Sequence, residues 1–256
     1  MLFCADVGNT CTSLAIVKDM KSIRSWRMKT CERTPDEYLA TIQMFLRADA
    51  LENLKVGKVG VCSVVPSETE GIATALWKLF GVEVELIDGT GDFGLKIMTD
   101  DPRQVGGDRI ANAVGAYYCY GAPSIVVDLG TATTFDYVTH AAEYKGGVIA
   151  PGLMAGSRDL WRHARMLPQV AIRRPQRVIG TNTIECMQSG IFFGAVGMIE
   201  GIIKRMWDEL GSKTKVILTG GYAPIVHSGL TIESSIDIDL TIKGIALALD
   251  PSLRKG

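Results

Sequence analysis

Two short segments of the chain place an acidic residue at the end of an apolar run and follow it with glycine and hydroxyl side chains. In the first segment, the apolar run Leu2–Ala5 leads into Asp6. Glycine lets the backbone approach an anion, N–H and O–H groups donate to it, and a carboxylate holds a cation. This pattern predicts a site for a phosphate and its metal ion, and the polar or flexible positions that follow the acid are Gly8, Asn9, Thr10, Thr12 and Ser13.

The second segment repeats the pattern in the middle of the chain. Ile125, Val126 and Val127 form a β-branched run without alternation, which is typical of a buried strand. Asp128 ends this run, and small or hydroxyl residues follow at once, namely Gly130, Thr131, Thr133 and Thr134. The chain therefore carries two copies of one pattern that suits a phosphate and its metal ion.

Asp108 and Arg109 stand at the start of a predicted helix, Gly106–Tyr118. Two interpretations of this acid remain open. An acidic residue in a first turn commonly does no more than complement the helix dipole. Alternatively, Asp108 is a base at the mouth of a cleft, beside an arginine that can bind a carboxylate through two hydrogen bonds.

Composition limits the classes of protein to consider. The chain has 256 residues, 47% of them hydrophobic, which is enough for a large core. Its 27 basic and 28 acidic residues nearly balance, so neither nucleic acid nor a membrane surface is an expected partner. The six scattered cysteines lack metal-ligand spacing and favour a reducing cytoplasm. The most apolar stretch, Ile191–Ile203, is interrupted by Glu200, so we expect a soluble protein.

The first half reads as three strands, a helix, a strand, a helix and a strand. Capping signals at Thr34 with Glu37, and at Ser67 with Glu70, predict where the two helices begin. The glycine turn at 8–10 falls inside a β-hairpin rather than between a strand and a helix. This position argues against a Rossmann or P-loop site.

The second half follows its strands with a long helix, Thr183–Leu210, which Asn182 and Glu185 are predicted to cap. A strand over Lys215–Leu218 then ends in the turn Thr219-Gly220-Gly221, and Ile242–Leu249 is a final helix.

Six motifs in order across the whole chain resemble those of the bacterial type III pantothenate kinases. This family belongs to the superfamily of acetate and sugar kinases, heat-shock ATPases and actin. The motifs are DVGNT at 6–10, QVGGDR at 104–109, VVDLGTATTFD at 126–136, GGVIAPGL at 146–153, GTNTIECMQSG at 180–190 and TGGYA at 219–223.

The resemblance implies an α/β protein with a duplicated ribonuclease H-like fold. Each half is of the βββαβαβ type, residues 1–117 and 118–256, with an active-site cleft between them. It also implies ATP-dependent phosphorylation of pantothenate to 4'-phosphopantothenate, the first step of coenzyme A biosynthesis. The expected cofactors are magnesium and a monovalent cation, potassium or ammonium, and the expected assembly is a homodimer.

The resemblance assigns roles to residues that match the family motifs. Asp108 is the expected general base, Asp128 the ligand of the monovalent cation, and Asp6 a ligand of magnesium. The pantothenate site is expected at Gly106, Gly107, Asp108 and Arg109, with Thr183 supplied across the dimer interface. The expected ATP contacts are Asp6, Val7, Gly8, Asn9, Thr10, Cys11, Thr12, Ser13, Thr131, Gly220 and Gly221.

Three positions depart from the family pattern. The family usually has a tyrosine at Thr99, an asparagine at Asp101 and an alanine at Gly107, so contacts at the edge of the substrate pocket should differ here. Besides an actin-like structural ATPase, for whose usual insertions the chain is too short, two rival functions are considered. One is another small-molecule kinase or a polyphosphatase of the same fold. The other is a non-enzymatic accessory factor for transcription, against which the balanced charge and the absence of a helix-turn-helix signal argue.

Overall fold

The computed structural model describes residues 1–164 and 166–254, which form two compact units. The helices, in chain order, are α1 Pro35–Ala48, α2 Pro66–Phe80, α3 Gly107–Tyr120, α4 Leu153–His163, α5 Thr183–Leu210, α6 Ala223–His227 and α7 Leu240–Leu249. The strands are β1 Leu2–Val7, β2 Cys11–Lys18, β3 Lys21–Lys29, β4 Lys58–Ser63, β5 Val84–Ile87, β6 Lys96–Ile97, β7 Ser124–Leu129, β8 Ala132–Val138, β9 Glu143–Pro151, β10 Lys215–Thr219 and β11 Ser235–Ile236.

Unit 1 contains residues 1–121, 142–144 and the C-terminal segment from Asp239. Its five-stranded sheet has the order β3-β2-β1-β4-β5, in which β1 is antiparallel to β2 and parallel to β4. The predicted sequence of strands and helices in the first half is confirmed. Between β5 and α3 the chain also forms the short strand β6 and a 3-10 turn at Pro102–Gln104.

Different pairs of helices pack on the two faces of this sheet. Phe3, Ala5 and Val7 pack into the core formed with α1 and α2. Because side chains alternate along a strand, Cys4 and Asp6 point to the opposite face. That face is covered by α3 and α7: a Cβ on Gly60 of β4 would lie 2.9 Å from atoms of both Ile245 and Leu249. Asp6 is therefore held on the α3 side of the sheet.

One of the two predicted helix caps in unit 1 is confirmed. The Thr34 hydroxyl accepts the N–H of Glu37 at 3.3 Å, and the Glu37 carboxylate accepts the N–H of Thr34 at 2.7 Å. The cap predicted at Ser67 is wrong, because α2 begins with Pro66 at its first position and has no side-chain cap.

Unit 2 contains Ala122–Ala141 and Lys145–Ile238. Its strands follow the order β9-β8-β7-β10-β11, with β7 antiparallel to β8 and parallel to β10. In chain order this repeats the arrangement β3-β2-β1-β4-β5 of unit 1. The duplicated α/β fold predicted from the sequence is thus confirmed.

The C-terminal helix α7 belongs to unit 1, where it packs against α3. A Cβ on Gly244 of α7 would lie 1.8 Å from the carbonyl oxygen of Ala111 of α3, so the two helices approach closely. The predicted boundary between residues 117 and 118 divides the two halves of the duplication, and it stays a prediction.

The helix α5 has the bounds predicted from the sequence. Within the described part of the chain it is the one helix long and apolar enough to cross a membrane, judged by length and composition alone. Its residues Phe192, Val196, Ile199 and Ile203 are buried in the core of unit 2. The apolar stretch Ile191–Ile203 is thus part of a longer helix, and burial of one face in a protein core accounts for its composition.

Candidate active site

The first predicted phosphate segment is the hairpin between β1 and β2. The N–H of Gly8 donates to the carbonyl of Cys11 at 3.1 Å and closes the turn. Asn9, Thr10 and Cys11 are exposed at its tip. The tip can therefore present backbone donors and the side chains of Asn9 and Thr10 to an anion, while the Cys11 thiol donates to the carbonyl of Met28 at 3.2 Å.

The remaining residues of the hairpin hold its shape. Val7 is buried, and its carbonyl accepts the N–H of Val64 at 3.1 Å. Thr12 is also buried, and its hydroxyl pairs with that of Thr30 at 2.9 Å, while the N–H of Thr30 donates to the carbonyl of Thr10 at 3.1 Å. Ser13, half-buried, is the register partner of Asp6. Thr30, the residue after β3, thus supports the hairpin, a role that the sequence did not indicate.

Asp6 stands at the end of β1 beside β4. It is the register partner of Cys62 in the parallel pair, and the Cys62 thiol donates to Oδ1 of Asp6 at 3.3 Å. Cys62 is fully buried, and burial together with the charges of Asp6 and Asp108 raises its pKa well above the usual value. The thiol is therefore protonated and acts as a donor.

Asp108 lies in the first turn of α3. Its Oδ1 accepts the N–H of Arg109 at 2.7 Å, and its carboxyl group is largely buried. Burial raises the pKa of Asp108, while the Arg109 hydrogen bond and charge oppose the shift. A carboxylate with a raised pKa at a helix start is suited to accept a proton.

The start of α3 is pressed against the ends of β4 and β5. A Cβ on Gly107 would lie 2.2 Å from the carbonyl oxygen of Ile87 and 3.1 Å from Cβ of Cys62. A Cβ on Gly106 would lie 2.7 Å from Oδ1 of Asp108. The two glycines therefore allow the approach that brings Asp108 to this edge of the sheet.

Arg109, half-buried, places its guanidinium over the ring of Tyr144, 5.9 Å from the centroid. This contact fixes the arginine at the start of α3.

The second predicted phosphate segment, in unit 2, is the turn between β7 and β8. The N–H of Gly130 donates to the carbonyl of Ala132 at 3.0 Å, and Thr131 is exposed at the tip. Gly152, just before α4, packs against this turn, since a Cβ there would lie 2.3 Å from the carbonyl oxygen of Thr131. The structure thus brings the start of α4 to the turn, a role for Gly152 that the sequence did not indicate.

The glycine turn after β10 lies beside Asp128. Thr219 is the register partner of Asp128. Gly220 has φ +87°, and a Cβ there would lie 2.4 Å from Oδ1 of Asp128. Asp128, Thr131 and Gly220 are thus brought to one edge of the unit 2 sheet.

Tyr222, next to the exposed Gly221, lines a cavity of about 480 Å³. The other lining residues come from α4 and the segment before α5: Met154, Gln169, Val170, Ala171 and Ile172. The cavity has the size and the mixed polar and apolar lining that suit a nucleobase or a similar group.

Thr183 is exposed at the first position of α5. The Asn182 side chain accepts the N–H of Glu185 at 3.0 Å, which confirms half of the predicted capping box. The Glu185 carboxylate instead accepts the N–H of Thr181 at 3.0 Å, and such hydrogen bonds lower its pKa to about 2. The turn that presents Thr183 is therefore firmly held.

Two positions that depart from the family pattern have defined environments. The Asp101 carboxylate accepts Nε of Arg103 at 2.9 Å and the N–H of Arg103 at 3.1 Å, so it caps the 3-10 turn. The hydroxyl of Thr99 is buried and has no hydrogen-bond partner among the described residues.

The acidic residue at the first hairpin, Asp6, could serve as one ligand of a metal ion whose other ligands are oxygen atoms of a nucleotide. Within residues 1–164 and 166–254, no group of three or more His, Cys, Asp or Glu side chains could hold a metal by itself. Magnesium bound to a nucleotide usually takes one or two carboxylates and several phosphate or water oxygens. The single carboxylate of Asp6 fits that arrangement.

Comparison with known proteins agrees with this arrangement. A curated protein of Halalkalibacterium halodurans, "Type III pantothenate kinase", is 40% identical over 248 residues, covering 96% of this chain and 98% of that protein. Two solved structures share the fold alone. Component A of the (R)-2-hydroxyglutaryl-CoA dehydratase of Acidaminococcus fermentans has a TM-score of 0.58 at 15% identity, covering 100% of both chains. The ROK hexokinase of Thermus thermophilus has a TM-score of 0.52 at 12% identity, covering 100% of this chain and 99% of that one.

The sequence profile of one family, described as type III pantothenate kinase, matches residues 2–205. With that match and the 40% identity to a full-length relative, the chain belongs to the type III pantothenate kinase family.

Proposed function

We propose that this protein transfers the γ-phosphoryl group of ATP to the primary hydroxyl of pantothenate, giving 4'-phosphopantothenate and ADP, the first step of coenzyme A biosynthesis. The observation that carries the proposal is the carboxylate of Asp108, largely buried at the start of α3 and with a raised pKa. Such a group can take a proton from a substrate hydroxyl near neutral pH.

In the proposed reaction, Asp108 accepts the proton of the pantothenate hydroxyl. The hydroxyl oxygen forms a bond to the γ-phosphorus as the bond from that phosphorus to the β–γ bridging oxygen breaks. ADP leaves with the electron pair of the broken bond. Phosphoryl transfer needs little covalent help from protein, so positioning and charge stabilisation account for most of the catalysis.

We assign the phosphates of ATP to residues 6–13 and to Thr131. The exposed tip of the first hairpin, Asn9–Cys11, offers N–H and O–H donors, while Val7 and Thr12 support it from inside. Adenosine is assigned to Gly220 and Gly221, and the cavity lined by Tyr222 is the candidate for the adenine ring.

Asp6 is the proposed protein ligand of magnesium, and Asp128 the proposed ligand of potassium or ammonium. Magnesium supplies positive charge to the phosphate oxygens and so stabilises the transition state. The contact of Asp128 with Gly220 supports its place beside the proposed adenosine turn. If this protein retained full turnover with sodium as the sole monovalent cation, the assignment of potassium or ammonium would be contradicted.

Pantothenate is assigned to Gly106, Gly107, Asp108 and Arg109, with Arg109 binding the substrate carboxylate. Thr183 is proposed to reach the site of a second subunit in a homodimer. Its exposure supports this, as do exposed apolar side chains on α4 and at the start of α5, namely Leu160, Trp161 and Ile184. A cytoplasmic location fits the free cysteines.

The experiment that tests the function is ADP release with pantothenate, compared with polyphosphate and a panel of sugars. We expect turnover with pantothenate and magnesium ATP only. Turnover with a sugar or with polyphosphate, and none with pantothenate, would favour a different phosphotransferase of the same fold.

A further inference from the structure

Cys62 is fully buried and lies between Asp6 and the start of α3. Its thiol donates to Oδ1 of Asp6 at 3.3 Å. Its Cβ lies 3.1 Å from the position of a Cβ built on Gly107, the residue before Asp108. One side chain of β4 therefore contacts the strand that carries Asp6 and the helix turn that carries Asp108.

The contact with Asp6 follows from the sheet itself. Asp6 and Cys62 are register partners in the parallel pair of β1 and β4. Both point to the face covered by α3 and α7, opposite the face on which Val59 and Val61 pack against α1 and α2. Register partners on one face lie close together, so the thiol is fixed beside the carboxylate by two strands rather than by a flexible loop.

A donor fixed in this way restricts the orientation of the Asp6 carboxylate. Carboxylates that bind metals are commonly oriented by hydrogen bonds from neighbouring residues, and loss of such a partner weakens metal binding or activity. Nothing else in the proposed mechanism uses Cys62, and its complete burial keeps it from contact with substrate.

We propose that Cys62 is a positioning residue, which orients the Asp6 carboxylate toward the magnesium ion of bound ATP and seats the start of α3. The role rests on the proposed binding of magnesium ATP at Asp6. It does not depend on the identity of the phosphoryl acceptor.

The test compares Cys62→Ala with Cys62→Ser, which keeps an O–H donor at the same place. Equilibrium binding of ATP is measured by calorimetry without pantothenate, once with magnesium and once with a chelator. For Cys62→Ala we expect the Kd of magnesium ATP to rise about three- to tenfold, the usual effect of one lost hydrogen bond. We expect the Kd of metal-free ATP to change less than twofold, and Cys62→Ser to restore binding.

Cys4→Ala is the matched control. Cys4 is a second fully buried cysteine on the same face of the same sheet, two residues before Asp6. Its replacement removes the same atoms from the core and should lower the melting temperature without changing the Kd of magnesium ATP. If Cys62→Ala fails to fold, Cys62→Val fills the volume without a donor and is measured in the same way.

Three results would overturn the proposal. In the first, a folded Cys62→Ala protein binds magnesium ATP as tightly as the wild type does. In the second, its binding of metal-free ATP and of magnesium ATP weakens equally, and in the third, a folded Cys62→Ser protein does not restore binding. If the wild-type protein binds magnesium ATP but does not phosphorylate pantothenate, the proposed function fails while the role of Cys62 is still decided by these measurements.

Discussion

The α-carbon of Gly107 packs so closely against the carbonyl oxygen of Ile87 that a Cβ at Gly107 would lie 2.2 Å from it. The oxygen belongs to the last residue of β5, and the glycine is the first residue of α3. The position of Asp108 is therefore set by a backbone contact that leaves no room for a side chain at Gly107.

Gly107→Ala should displace the start of α3. We expect the free energy of unfolding to fall by about 1–3 kcal/mol, the usual cost of overpacking a buried site. We expect kcat/KM for pantothenate to fall about 10- to 100-fold, because small displacements of a catalytic group are costly. Urea unfolding and steady-state kinetics measure both. Gly156→Ala is the control, since a Cβ there meets nothing within 4 Å. A Gly107→Ala protein with wild-type stability would contradict the close packing.

The raised pKa of Asp108 predicts an acid limb in the activity profile. The base must be ionised, so kcat/KM should fall with a slope of one proton as the pH drops through the raised pKa, and Asp108→Asn should lack this limb. A profile that is flat over the acid range in the wild-type protein would remove Asp108 as the titrating base.

The raised pKa of Asp108 also predicts the direction in which the stability of the protein changes with pH. Because the folded-state pKa lies above the unfolded one, the folded protein holds the Asp108 proton more tightly. The contribution of Asp108 to stability is therefore present below the unfolded pKa and is lost as the pH rises through the folded one. Asp108→Asn should gain stability relative to wild type as the pH rises, which unfolding curves at several pH values will measure. If the wild-type protein instead gained stability relative to Asp108→Asn as the pH rises, the predicted direction would be wrong.

The glycine turn after β10 supplies a matched pair of substitutions. Gly220 has φ +87° and contacts Asp128, whereas a Cβ on Gly221 would meet nothing within 4 Å. Gly220→Ala should cost about 1–3 kcal/mol of unfolding free energy, because left-handed strain and crowding add at one site. Gly221→Ala should unfold like wild type. Equal stability of the two variants would show that Asp128 and Gly220 are not in contact.

The proposed homodimer predicts complementation between two inactive variants. If Thr183 serves the site of the partner subunit, a dimer of one Asp108→Asn chain and one Thr183→Ala chain has one intact site. Random exchange of subunits should then restore about a quarter of wild-type activity, since about half of the dimers are mixed. Mixing the purified variants and assaying over time measures this. If activity does not recover although mass measurements detect mixed dimers, Thr183 acts within its own subunit or not at all.

Local features were well predicted by the sequence. The capping residues of α1, Thr34 and Glu37, and the full extent of α5 depend on contacts between neighbours in the chain. The cap predicted at Ser67 was wrong because a residue distant in the chain determines the structure there. The next residue, Glu68, is buried and accepts the hydroxyl of Tyr38 at 2.7 Å, a partner thirty positions away. Pro66 begins the helix instead.

The candidate site was only partly predictable. The acid and glycine patterns singled out Asp6 and Asp128, because residue types and order are visible in a sequence, whereas Asp108 was assigned to the site through the resemblance to the family. The contact of Asp6 with Cys62 depends on the register of two parallel strands far apart in the chain, and Cys62 reads as an ordinary buried thiol. Gly152 was likewise inconspicuous until its packing against Thr131 was known.

The most direct test of the central claim is the rate of phosphoryl transfer from magnesium ATP to pantothenate by the wild-type protein and by Asp108→Asn. ADP release and the mass of the product are followed together, with the melting temperature as a check on folding. We expect 4'-phosphopantothenate from the wild-type protein and turnover lower by about 10²–10⁴-fold in the folded variant, the usual effect of losing a general base. Near wild-type turnover by Asp108→Asn, or no phosphorylated pantothenate from the wild-type protein, would contradict the account.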